Sequence, residues 1–94
     1  MKFLHEKGWR TKHHVKLSSG CIIDLIAFSG DIKYIVECKP ILSKSNLYSA
    51  IGQVLCYRQE YDPQAIPIIA SYTSQVDTYT IASCEALGIR IITI

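Results

Sequence analysis

Apolar residues recur along this chain with two different periods. Residues 21–28 (CIIDLIAF) form a nearly continuous apolar run broken by one acid, Asp24. That is the pattern of a strand covered on both faces. Ser29-Gly30-Asp31 is a short glycine-containing turn, so the next run, 32–39 (IKYIVECK), pairs back as a hairpin and closes at Pro40. Residues 9–17 (WRTKHHVKL) read as a more polar strand, followed by a Ser18-Ser19-Gly20 turn. After a loop over 41–45 the period changes. In 46–60 (NLYSAIGQVLCYRQE), Leu47, Ala50, Ile51, Val54 and Leu55 make one stripe at helical spacing, with Ser45 or Asn46 able to cap its start. Asp62-Pro63 interrupts the chain. Residues 65–71 (AIPIIAS) read as a buried strand despite Pro67, 75–87 as a helix stopped by Gly88, and 89–94 (IRIITI) as a last strand. At the other end, 2–8 (KFLHEKG) look like the tail of a helix ended by Gly8, as if the chain began mid-helix.

The order α-β-β-β-α-β-α-β predicts one α/β domain over residues 1–94, with a mixed sheet and helices packed on it. The antiparallel hairpin comes first, and the helix-linked strands add in parallel by right-handed crossovers. A chain of 94 residues holds one domain at most and buries a modest share of its surface. Its 49% apolar content argues against disorder and suits a chain that hides part of its surface in an oligomer.

Candidate chemistry sits on the hairpin. A turn around Gly30 brings Asp24 opposite residues 36–37, where facing Cβ atoms lie about 4.5–5.5 Å apart. Strand alternation puts Glu37 and Lys39 on one face and Cys38 on the other. An ExK pair alone is common on solvated strand ends, and an isolated Asp24 could simply accept hydrogen bonds. Three features shift the weight: Asp24 at paired spacing, apolar neighbours around each acid, and the helix that follows. Two carboxylates this close repel, and a hard divalent cation relieves them. Mg²⁺ is often held by one or two carboxylates with water and substrate phosphate, and Lys39 could orient a water or balance phosphate charge.

Asp24 followed by Glu37-Cys38-Lys39 resembles the D…(D/E)xK core of the PD-(D/E)XK nuclease superfamily. Gln53-Val-Leu-Cys-Tyr57 resembles the QxxxY element of several of its branches, and the resemblance extends over nearly the whole chain. It implies a restriction-endonuclease-like αβββαβ core and a Mg²⁺- or Mn²⁺-dependent endonuclease acting on nucleic acid, DNA ahead of RNA. Asp24, Glu37 and the backbone carbonyl of Cys38 would hold the metal, and Lys39 would position or activate the attacking water. Gln53 and Tyr57, four apart, share a helical face at the edge of the apolar stripe and complete the implied catalytic set; by spacing alone they read as a polar flank and a half-buried tyrosine. Ile23 stands where the motif has proline, which is not a ligand. Many members carry an acid in the first helix. Glu6 is the one available here, and an exposed glutamate near a helix end is its ordinary reading.

The net charge of +2 permits a polyanionic partner without demanding one. Lys2, Lys7, Arg10, Lys12, Lys16, Lys44 and Arg58 could meet phosphate, with Lys12, Lys16, Lys44 and Arg58 the chosen contacts. Lysines also guard exposed strand edges. His13 and His14 are adjacent on a strand, face opposite ways, and do not count as joint metal ligands. Trp9 and the tyrosines read as core or interface. The four cysteines lack zinc spacing and read as reduced and structural, three of them in apolar strand or helix patterns as small buried hydrophobes, against a small redox or metal protein. With no signal-like or membrane-spanning run, the expectation is a cytoplasmic protein without membrane contact. Cutting both strands of a duplex takes two active sites, hence an expected C₂ homodimer. The alternative is a non-catalytic nucleic-acid-binding or assembly module of the same fold.

Overall fold

In the computed structural model the described residues run from 9 to 94. The helix expected over 2–8, with Lys2, Glu6 and Lys7, lies outside them. The elements in order are β1 (Arg10–Lys16), β2 (Ile22–Ser29), β3 (Ile32–Cys38), β4 (Ile41–Leu42), α1 (Lys44–Tyr61), β5 (Ile66–Ser71), β6 (Thr73–Ser74), α2 (Thr78–Glu85) and β7 (Arg90–Thr93).

Five strands form one mixed sheet in the order β1-β2-β3-β5-β7. β1 to β3 are an antiparallel meander, while β5 and β7 add in parallel beyond β3. Gly30 at φ 61° supplies the positive φ that a two-residue turn between Ser29 and Ile32 requires. The parallel strands need crossovers, which α1 and α2 provide. Pro67 is fully buried inside β5. The ladder from β5 to β7 begins only at Ile68 opposite Arg90, so on that side the missing N–H falls before any pairing.

The sheet is apolar on both faces. Ile26, Ile35 and Ile69 pack under Leu47, Ala50 and Val54 of α1, in a cluster that also takes Cys84 of α2. Leu25, Ala27, Tyr34, Val36, Ile68 and Ala70 form a second cluster, with Trp9 stacked on Tyr34 at 4.7 Å between centroids. The expected stripe of α1 is therefore its buried face, with Ile51 and Leu55 half-buried beside it.

Several local expectations are corrected. α1 starts earlier than 46, because Ser43 caps it: its Oγ accepts the Asn46 N–H at 3.1 Å. Asn46 instead uses its side-chain amide to donate to the Ile41 carbonyl at 2.8 Å. α2 is shorter than 75–87, because the Gln75 N–H bonds the Leu42 carbonyl and Asp77 is the N-cap. The segment read as loop contains β4, which pairs in parallel with β6 over two residues. All four cysteines are free, yet only Cys84 is buried; Cys21, Cys38 and Cys56 are exposed. Among the described residues no helix is long and apolar enough to cross a membrane.

Ser43→Ala is expected to cost about 1 kcal/mol, the usual worth of a serine cap. Thermal melting checks it, and an unchanged melting temperature would move the cap to another residue.

Candidate active site

The ladder between β2 and β3 runs from Ser29–Ile32 to Leu25–Val36, and one more step sets Asp24 against Glu37. At that step a side chain replaces the backbone pairing: the Cys38 N–H donates to Asp24 Oδ2 at 3.1 Å. The Lys39 N–H meanwhile donates to the Ala70 carbonyl at 2.9 Å, which holds the end of β3 against β5. Lys39 Nζ lies 4.0 Å from Glu37 Oε1. The expected constellation of Asp24, Glu37 and Lys39 is thus assembled at one end of the sheet.

Asp24 reaches this position through a break in strand alternation. Leu25 and Ala27 belong to one cluster, but Ile23, which should follow them, packs in the other. On β1, the pairs Lys12–Ile26, His13–Leu25 and Val15–Ile23 all form, and the one between them, His14 opposite Asp24, drops out. His14 has φ 51°, a left-handed conformation rare in a strand. The two neighbouring strands exchange faces at this point, and Asp24 sits at the exchange. The expectation that His13 and His14 face opposite ways is corrected as well, since the irregular backbone leaves their ring centroids 6.4 Å apart. No group of three or more His, Cys, Asp or Glu side chains with metal-binding geometry occurs among the described residues.

The electrostatics follow from crowding. Glu37 is buried, with 6% of its surface exposed. Burial first, and then the charge and hydrogen bonding of Asp24, push its carboxyl from 4.5 up to about 7, against the smaller pull of Lys39. The residue Cys38 is exposed, yet desolvation around its sulfur, followed by the charges of Asp24 and Glu37, pushes the thiol up to about 11. It therefore stays protonated near neutral pH.

α1 closes one side. Tyr57 packs against the helix-side cluster. Its hydroxyl pKa is raised by burial and then by the charges of Glu37, Cys21, Asp24 and Cys56, so it stays protonated. One turn earlier, Gln53 Oε1 is buried without a hydrogen-bond partner among the described residues. The C-terminal turn of α1 is fastened to the β1–β2 turn by Glu60 Oε2, which accepts the Ser19 N–H at 3.0 Å, and to β3 by a 3.2 Å ion pair between Lys33 and Asp62.

The expected phosphate contacts do not converge. Lys44 Nζ lies 3.7 Å from Asp77 Oδ1 on the surface. Arg58 is half-buried, with its Nε buried and without a partner among the described residues. Lys16 is exposed at the far end of β1, beyond the face exchange at His14. Lys12 instead joins Arg10 over Phe28, a residue that sequence reasoning passed over because a lone phenylalanine in an apolar strand reads as core. Ser71 Oγ is likewise buried and without a partner among the described residues, with no sequence signal to mark it.

No protein-family model matches the chain, and no curated protein matches it. Among solved structures it is similar to the restriction endonuclease PspGI in its complex with substrate DNA. That match has a TM-score of 0.71 and 17% identity, and covers 99% of this chain and 41% of that one. It is also similar to a protein of unknown function, AF1548, with a TM-score of 0.69 and 22% identity over 96% of this chain and 52% of that one. The chain thus spans about half the length of these structures or less. The likeness is one of fold: a five-stranded mixed sheet flanked by two helices, as in a restriction endonuclease.

Proposed function

We propose that this chain is a divalent-metal-dependent nuclease that hydrolyses phosphodiester bonds, with DNA as the favoured substrate. The observation that carries this reading is the meeting of Asp24 and Glu37 across one hairpin, with Lys39 Nζ 4.0 Å from Glu37. A fold similar to that of an endonuclease crystallised with its substrate DNA supports it.

The donors suit a hard cation. They are two carboxylates and the Cys38 carbonyl, all oxygen, and Glu37 is raised to about 7 by burial first and then by the charge of Asp24, a crowding that a divalent cation would relieve. Mg²⁺ or Mn²⁺ bound by Asp24, Glu37 and the Cys38 carbonyl would act as a Lewis acid toward phosphate and water. Asp24 is already oriented by the Cys38 N–H it accepts. Lys39, on the solvent side of Glu37, is suited to hold the attacking water and to offset charge on the phosphate. Tyr57, whose hydroxyl stays protonated under the charges of Glu37 and Asp24, and Gln53, a buried acceptor one turn away, would complete the set. Glu6 stays a proposed further ligand. Duplex cleavage by one such site per chain would require a pair of chains.

A panel of labelled DNA and RNA substrates, titrated with Mg²⁺ and Mn²⁺, tests the reading. Metal-dependent cleavage is expected, and Lys39→Ala should slow it by about 10²-fold or more, the usual worth of a proton-transfer or water-positioning group. Isothermal titration should find metal affinity little changed in that variant; a large loss would make Lys39 part of the metal site instead. A second reading, a binding or assembly module without chemistry, draws on the meeting of only two acids among the described residues. Salt-sensitive binding without cleavage at any metal concentration would select it.

A further inference from the structure

We propose that Arg10, Lys12 and Phe28 form a second phosphate-binding site, one that takes a backbone phosphate of the nucleic acid at a distance from the cut. The three residues, with Thr11, line an open cleft of about 370 Å³.

 

The Arg10 guanidinium lies 5.6 Å from the centre of the Phe28 ring and Lys12 Nζ lies 5.8 Å from it. Arg10 pairs with Phe28 across the ladder and Lys12 with Ile26, so both cations stand on edge strand β1 above the same stretch of β2.

Two cations drawn over one ring repel each other, and no acid among the described residues relieves them. The ion pairs there engage Lys33, Lys39 and Lys44. The ring is a brace: it attracts both cations through its face and fixes where they point. A phosphate is the anion that suits an arginine fork beside a lysine point charge. The cations already cover Phe28, so the cleft reads backbone rather than a stacked base, and contacts of that kind are blind to sequence.

Position separates this phosphate from the reacting one. Phe28 is four residues from Asp24 on β2, about 13 Å at about 3.3 Å per residue. That is about four nucleotide steps along one strand of a duplex at about 3.4 Å each. The proposal rests on the nuclease reading only for the identity of the anion's carrier, a nucleic-acid strand long enough to reach from the acids to the cleft.

The test is fluorescence anisotropy with labelled DNA of about 20 base pairs over a salt series, without divalent metal so that no cleavage enters. Each phosphate contact adds about 0.9 to the slope of log K against log salt. Arg10→Gln with Lys12→Gln should lower that slope by about 1 and weaken binding by about tenfold or more at low salt. Phe28→Leu keeps both charges and should give a smaller loss. Arg90→Gln, on the opposite edge strand, should leave the slope unchanged. An unchanged slope in a folded double variant overturns the proposal, and so does an equal loss in Arg90→Gln, which would make net charge the cause. Inorganic phosphate and trinucleotides, too short to span the distance, should bind the wild type far more weakly than the duplex does. If they bind as tightly as the duplex and lose that affinity in the double variant, the cleft takes free phosphate and the proposal fails. Cleft-dependent binding without cleavage in Mg²⁺ would remove the nuclease reading alone, and cleavage with an unchanged slope would remove the cleft alone.

Discussion

Alanine at either Asp24 or Glu37 is expected to remove metal-dependent cleavage, by about 10³-fold or more, while the fold remains. The size follows from the role. A metal acting as Lewis acid contributes several kcal/mol to the transition state, and each 1.4 kcal/mol is about a factor of ten in rate. With only two carboxylates meeting on the hairpin, losing one leaves too few oxygen donors to retain the ion at ordinary concentrations. The fold should survive for a separate reason. Glu37 is a buried acid held against another acid, so its removal relieves repulsion as it opens a small space. Asp24→Ala instead orphans the Cys38 N–H and should cost somewhat more stability, about 1–3 kcal/mol. Initial rates and circular dichroism on the same preparations check both halves. Wild-type cleavage by either variant would move the metal elsewhere.

The second large effect is a stability that declines through the mildly acidic range. Glu37 titrates near 4.5 when unfolded and at about 7 when folded. Between those values the folded chain holds a proton that the unfolded chain has released, so stability falls as pH rises. The contribution is fully present below about 4.5 and gone above about 7, an upper bound of about 3 kcal/mol. For a domain of this size each kcal/mol moves the melting temperature by about 4–8 °C. Asp62 and Asp77, lowered chiefly by backbone N–H groups, act on the acid side of the window and do not mask it. Without metal, melting temperature should drop between pH 5 and 8 in the wild type and far less in Glu37→Gln. Mg²⁺ at pH 8 should restore it in the wild type, because ligand binding to the folded state alone stabilises that state. A flat wild-type profile, or an equal gain from Mg²⁺ in Glu37→Gln, would sink the assignment.

The hairpin and its acids could be read from sequence because both rest on simple periods. A glycine turn between two apolar runs sets the register, and Leu25 opposite Val36 carries Asp24 to Glu37. The stripe of α1 was equally plain, since Leu47, Ala50 and Val54 repeat at helical spacing. What was hidden depends on contacts far apart in sequence or on unusual backbone. Three residues of Ser43-Lys44-Ser45-Asn46 can cap a helix, and only the Ile41 carbonyl, by occupying Asn46, decides among them. The left-handed turn at His14 carries no glycine to announce it. β4 and β6 are two residues each, too short for any period to register. The exposed cysteines looked apolar because they adjoin apolar runs in sequence, at the ends of strands and on the outer face of α1.

The bond from Cys38 to Asp24 closes a loop of only 14 residues. Short loops close quickly and at small entropic cost, so this meander is suited to form early, before β5 and β7 dock from further along the chain. The acids would then meet while the rest of the sheet is still assembling. A proton or a cation at that hairpin would in that case act on the speed of folding as well as on its equilibrium, making the ion that serves the finished site a participant in building it.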